Sequence, residues 1–148
     1  MFYFDTSFIA PLLLPEAASD AVEAFVRGLR SGLLATSAWT RVEFASLVSR
    51  RVRMRELDED QATAVRMRFE RLLAESFRIV VPGAADYDTA AVLLRNHKSG
   101  LRGGDALHLA VAHNQKMRML YSLDARMVEA AKMLGIRATD ELKRPREQ

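Results

Sequence analysis

Short apolar runs, each handing the chain on to a longer segment of helical period, constrain this sequence more than any other feature. Phe2 to Phe4 reads as a strand, and Thr6 opens a short helix that Pro11 and Pro15 limit. Ala21, Val22, Phe25, Val26 and Leu29 recur at helical spacing until Gly32, and Leu33 to Thr36 makes a second strand. Ser37 is the expected cap of a third helix, whose stripe runs through Phe44, Leu47, Val48 and Val52. Asp58 with Gln61 has the pattern of a capping box, opening a helix that turns Val65, Phe69, Leu72 and Leu73 inward. Phe77 to Val81, closed by Pro82-Gly83, predicts a third strand, and Tyr87, Ala90, Ala91 and Leu94 mark the next helix. The loop from Asn96 to Gly104 leads into a helix beginning near Asp105 that is apolar nearly all round, hence deeply buried. A fourth strand ends near Ser122, a last helix carries Met127, Val128, Ala131 and Leu134 to Gly135, and Ile136 to Thr139 adds an edge strand.

This alternation predicts an α/β fold: one domain over residues 1–142, with a central parallel sheet of four to five strands and helices on both faces. Residues 143–148 read as a frayed basic tail. A chain of 148 residues, 49% hydrophobic, is long enough for one real core but not comfortably for two. The absence of cysteine excludes disulfides, thiolate zinc sites and cysteine nucleophiles, and suits a reducing cytoplasm. No signal-peptide pattern opens the chain, and the apolar runs Phe8 to Leu14 and Ala106 to Ala112 are too short to span a bilayer. The expectation is a soluble cytoplasmic protein with no membrane attachment. A net charge of +3, carried mostly by arginine, suits a phosphate-bearing partner. The densest group, Arg50, Arg51, Arg53 and Arg55, runs into Glu56, Asp58, Glu59 and Asp60, and so reads as a charged helix-helix corner rather than a nucleic-acid stripe.

Four acids are out of place in this apolar frame. Asp5 directly follows Phe2-Tyr3-Phe4, Asp124 directly follows Met119 to Leu123, and Glu43 and Asp105 sit within apolar helical stretches. Charged side chains are rarely buried without a partner or a cation. Only Asp105 has a local one at helical spacing, in His108. Asp5 and Asp124 fall at carboxyl ends of strands, the edge where such sheets bind ligands. Carboxylates crowded there repel each other by roughly 1 kcal/mol at 4 Å in water and about 4 at an effective dielectric of 20. They must take protons or bind a cation, and all-oxygen donors select Mg²⁺ or Mn²⁺. A divalent ion in such a pocket suits phosphodiester hydrolysis. The competing reading makes Asp5 and Asp124 helix caps, Asp105 a partner of its helix dipole and Glu43 the mate of a distant arginine. His108, His113, Trp39 and the late methionines read as packing or surface residues.

Asp5-Thr6-Ser7, Glu43 in Arg41-Val42-Glu43-Phe44, Asp105-Ala106, Ser122-Leu123-Asp124 and the Ala131 to Ile136 ending together resemble the motifs of the PIN-domain ribonucleases. The size resembles the VapC branch, the toxins of type II toxin-antitoxin pairs. The resemblance implies a metal-dependent endoribonuclease in which Asp5, Asp105 and Asp124 hold the principal metal and Glu43 completes the acidic pocket. Ser122 would orient a ligand or the attacking water, with Thr6 in support. Many relatives place an arginine next to the last acid, whereas here Ala125 intervenes before Arg126. The resemblance also implies an RNA substrate, a small antitoxin and a homodimer, with the helices around Phe8 to Leu14 and Phe44 to Leu73 offering the apolar face. The alternatives are a non-toxin RNA-processing nuclease and a non-catalytic RNA- or protein-binding module. A receiver domain would need an acid after the third strand, and a haloacid-dehalogenase-type phosphatase an aspartate at position 7; neither is present.

Overall fold

Five short strands, all parallel, form the centre of the molecule in a computed structural model that describes residues 1–30 and 32–142. In chain order the elements are β1 (Phe2–Phe4), α1 (Thr6–Ile9) running into a 3-10 turn (Ala10–Leu12), α2 (Ser19–Arg27), β2 (Leu34–Ser37), α3 (Trp39–Arg53), α4 (Glu59–Ser76) and β3 (Arg78–Val80). Then follow α5 (Ala84–Leu93), a 3-10 turn (His97–Ser99), α6 (Gly103–Asn114), β4 (Leu120–Tyr121), α7 (Ala125–Met133) and β5 (Ala138–Thr139). The α/β architecture with a parallel sheet is therefore as expected, with five strands. The basic tail expected at 143–148 lies outside the described residues.

Strand order is β3-β2-β1-β4-β5. The chain builds outward from β1 through β2 to β3, then returns to the other side of β1 for β4 and β5. The order thus reverses between β1 and β4, and a crevice opens at the carboxyl ends of strands on either side of such a switch. Asp5 leaves β1 and Asp124 follows β4 at that point, with Tyr3 opposite Leu120 and Phe4 opposite Tyr121.

Side chains alternate between the two faces with the period of a strand. Phe2, Phe4 and Tyr121 enter one buried cluster with Phe8, Phe44 and Phe69, where Phe4 stacks on Tyr121 at 5.2 Å. Tyr3 and Leu120 enter the opposite cluster with Leu109, Val111 and Met127. Residues Ala106 to Ala112 of α6 are all buried, as its all-round apolar sequence predicts.

The loop from Asn96 leads into α6 as expected: it contains a 3-10 turn, and α6 begins at Gly103, so Asp105 falls in its first turn. Two expectations need correction. Ser37 does not cap α3: it is the last, fully buried residue of β2, and Ala38 holds the cap position without a side-chain bond. The apolar helices assigned to a dimer face spend Phe8, Ile9, Leu14, Phe44, Phe69 and Leu73 on the chain's own core; what those regions leave exposed is Val42 and Met67, with Met54 just past α3. The α3–α4 connection is the charged corner expected, with Arg51 bridging Glu16 at 2.8 Å and Glu56 at 3.0 Å.

The capping box of α4 is complete. Asp58 accepts from the Gln61 N–H at 2.7 Å, and the Gln61 side chain accepts from the Asp58 N–H at 2.9 Å. Asp58→Ala is expected to cost about 1 kcal/mol, read as a fall of roughly 2–4 °C in thermal melts, with no change in any activity located at the sheet's carboxyl edge.

Candidate active site

A cavity of about 470 Å³ opens at the carboxyl edge of the sheet, and Asp5, Glu43, Asp105 and Asp124 all line it. The four acids singled out by sequence, separated by up to 119 positions (124 − 5), are thus brought to one place. Their local settings differ, and so does the chemistry of each.

Asp5 is almost completely buried at the start of α1, where its Oδ1 accepts the Phe8 backbone N–H at 3.0 Å. Ser7 donates its hydroxyl to Oδ1 and Oδ2 at 2.8 and 3.0 Å, and Ser122 donates to Oδ2 at 2.7 Å. Burial raises the Asp5 carboxyl above its ordinary value; the nearby His108 and the hydrogen bonds from Ser122, Ser7 and Phe8 offset this only in part. Ser122 also accepts the Asp124 N–H at 3.0 Å, so one hydroxyl ties the first acid to the backbone of the last. Asp124 caps α7 by accepting the Arg126 N–H at 2.9 Å. Asp5 and Asp124 are therefore caps, as the competing reading has it, but they are also cavity walls.

Glu43 comes from the second turn of α3. Its Oε2 accepts from His108 Nε2 at 2.7 Å and from the Thr6 hydroxyl. Burial pushes its carboxyl up, but the His108 hydrogen bond and charge, with Thr6 and Trp39, outweigh burial and hold it below its ordinary value. The buried Trp39 indole N–H makes no hydrogen bond of ordinary geometry among the described residues, yet it lies close enough to Glu43 to favour the carboxylate. With Glu43 ionised, His108 Nε2 must carry the hydrogen it shares with Oε2. The other ring nitrogen, Nδ1, is 2.6 Å from the hydroxyl of fully buried Tyr3, whose ionisation burial strongly opposes. A hydrogen-bonded chain therefore runs from the core through Tyr3 and His108 to Glu43.

Asp105 sits in the first turn of α6, half-buried. Its carboxyl is raised by burial first and then by the charges of Asp124 and Glu43, with His108 and the Arg102 backbone opposing. Carboxylates that repel one another in this way are relieved by taking a proton or by a bound cation. Among the described residues, no three His, Asp or Glu groups already converge as metal ligands do. Asp5 is engaged by two serines and Glu43 by Thr6 and His108, so the acids line a shared cavity rather than clasp one point. The donor chemistry nonetheless fits a hard divalent cation: four carboxylate side chains, no thiolate, and two carboxyls held above their ordinary values.

The sequence marks Ser7 only within Asp5-Thr6-Ser7, Tyr3 only as a strand residue and His108 only as a packing residue beside Asp105, with no site role for any of them. The one available signal was the spacing of Asp105 and His108, but the histidine bonds to Glu43 across 65 positions rather than to its helical neighbour.

Residues 2–133 match the PIN domain family, and the chain belongs to it. No curated protein matches it in sequence. Among solved structures, the fold is similar to FitAcB from Neisseria gonorrhoeae, with a TM-score of 0.75 and 20% identity over 95% of this chain and 97% of that one. It is similar also to VapC20 from Mycobacterium tuberculosis, a sarcin-ricin loop cleaving toxin, with a TM-score of 0.73 and 20% identity over 98% and 100%. A toxin-antitoxin complex from Klebsiella pneumoniae follows, with a TM-score of 0.64 and 16% identity over 86% and 90%. At such identities the likeness is one of fold.

Proposed function

We propose that this protein is a divalent-metal-dependent endoribonuclease and the toxin of a type II toxin-antitoxin pair, acting in the cytoplasm. The observation that carries the reading is the set of four acids lining one cavity at the switch point of the sheet, two of them held above their ordinary carboxyl values. Asp5, Asp105 and Asp124 would hold Mg²⁺ or Mn²⁺, with Glu43 completing the pocket. A bound divalent ion supplies charge for a phosphoryl oxygen and lowers the pKa of a water. The chain's own part is orientation. Ser7 and Ser122 hold the Asp5 carboxylate, and Ser122 ties it to Asp124. Thr6 and His108 keep Glu43 ionised and facing the cavity, where it can accept a proton from an attacking water.

The toxin role rests on the fold shared with FitAcB, VapC20 and the Klebsiella toxin-antitoxin complex. An acidic cavity is a receptor for a basic side chain of an antitoxin. A homodimer is proposed with it, on a surface other than the buried helix faces.

Purified protein should cleave RNA with Mg²⁺ or Mn²⁺ and stop when chelator is added. Robust cleavage by metal-stripped protein in EDTA would sink the mechanism. Growth arrest on expression alone, relieved by a small protein encoded next to it, tests the toxin role separately.

A further inference from the structure

Next to the acidic cavity, and sharing Asp105 and Asp124 with it, lies a second cleft of about 120 Å³ that Arg102 and Arg126 also line. Arg102 immediately precedes α6 and Arg126 is the second residue of α7. Each therefore sits at the end of a helix where the dipole disfavours a cation, so neither is placed to serve its helix. Neither serves an ion pair: among the described residues no carboxylate is in salt-bridge contact with either guanidinium, although two carboxylates line the same cleft. On an open helix face an unpaired arginine means little. Two exposed arginines without an ion pair, lining one cleft, make a place that attracts an anion, and that cleft shares Asp105 and Asp124 with the candidate cleavage centre.

We infer that Arg102 and Arg126 form a phosphate subsite that receives the backbone phosphate adjacent to the one being cut. The inference rests on the nuclease reading above and deepens it. The two cavities share Asp105 and Asp124, so a strand whose scissile phosphate lay in the larger one would reach the smaller along those two acids. The cleft has room for about four waters, suited to a phosphate group rather than a base, and guanidinium groups grip phosphate oxygens in pairs. The arrangement also answers an electrostatic difficulty. A pocket of carboxylates repels RNA, and cations on its rim supply the attraction without neutralising the acids within. The main chain of Arg126 takes part too, since its N–H holds Asp124 while its side chain is free for the cleft.

The test is cleavage kinetics with Mn²⁺ on a short RNA with one cut site, using Arg102→Gln/Arg126→Gln and the charge-retaining Arg102→Lys/Arg126→Lys. The glutamine pair should lower kcat/KM by roughly 10- to 100-fold, chiefly through KM, and flatten the salt dependence by one to two phosphate contacts. The lysine pair should recover part of the loss, and Arg66→Gln/Arg68→Gln on α4 should change little. Substrates carrying one neutral methylphosphonate at a time make the readout specific. The unaltered protein should be sensitive at the phosphate adjacent to the cut, and the glutamine pair insensitive there only. A glutamine pair that cleaves normally, or that stays sensitive at that phosphate, overturns the subsite and leaves the nuclease reading standing. Failure of the unaltered protein to cleave any RNA overturns both.

Discussion

Asp5→Asn is expected to abolish RNA cleavage while raising the melting temperature of the metal-free protein, whereas Glu43→Gln should lose both activity and stability. The two acids line the same cavity but carry opposite shifts. Burial holds the Asp5 carboxyl above its ordinary 3.8, so the fold favours the neutral form. Its contribution to stability is full below that ordinary value and is lost as pH rises through the folded value. Asparagine supplies a neutral group at every pH and can still cap α1 by accepting from the Phe8 N–H. A higher melting temperature is therefore expected at pH 7, with the difference shrinking toward pH 4. Glu43 lies below its ordinary 4.5, so its contribution is present above that value and is lost as pH falls through the folded value. Glutamine replaces charge-assisted bonds from His108 and Thr6 with neutral ones, at a cost of about 1–3 kcal/mol at neutral pH. Melts from pH 4 to 8, with and without Mn²⁺, check both signs, and added ion should stabilise only the unaltered protein appreciably. An Asp5→Asn protein that melts several degrees lower and still cleaves RNA would make Asp5 a structural cap and nothing more.

The four acids were legible because a charge beside an apolar run is a local anomaly, visible without any knowledge of distant contacts. The sheet was legible for the same reason: Phe2-Tyr3-Phe4 and the runs after it carry their period on their face, and the capping box of Asp58 and Gln61 is complete within four residues. The groups that tune the acids had no such local signature. Tyr3 meets His108 across 105 positions and looks in sequence like an ordinary strand residue, while Ser122, which meets Asp5 across 117, stands out only through the motif Ser122-Leu123-Asp124. Ser37 misled because serine before a helical stripe is a common cap, whereas here the strand runs one residue further and buries it. The same blindness applied to Phe8 and Phe44: periodicity marks an apolar face, but only the folded chain shows that its own core covers it.

Gly104→Ala is expected to slow RNA cleavage by about 10- to 100-fold with little effect on the fold, while Gly103→Ala next to it should leave cleavage intact. Both glycines lie in the first turn of α6, where alanine is intrinsically favoured over glycine by about 0.5–1 kcal/mol. Backbone preference alone would therefore make both substitutions mildly stabilising. A Cβ on Gly103 meets nothing within 4 Å. A Cβ on Gly104 would stand 2.9 Å from Glu43 Oε1 and 3.2 Å from Trp39 Nε1. A free glutamate would swing aside at little cost, but the other oxygen of this one is held by His108 and Thr6. The carboxylate must then turn about that anchor or give it up, and either movement displaces it from its place in the cavity wall. Misplacement on the scale of an ångström costs on the order of 100-fold in rate, so kcat should fall by about 10- to 100-fold while the melting temperature stays within a few degrees. His108 reports the same event independently, because a shift in its ring-nitrogen NMR signals in Gly104→Ala, absent in Gly103→Ala, marks the loss or bending of the Glu43 bond. If Gly104→Ala cleaves RNA at the normal rate with those signals moved, the position of the Glu43 carboxylate has no part in the chemistry, and the catalytic set reduces to Asp5, Asp105 and Asp124.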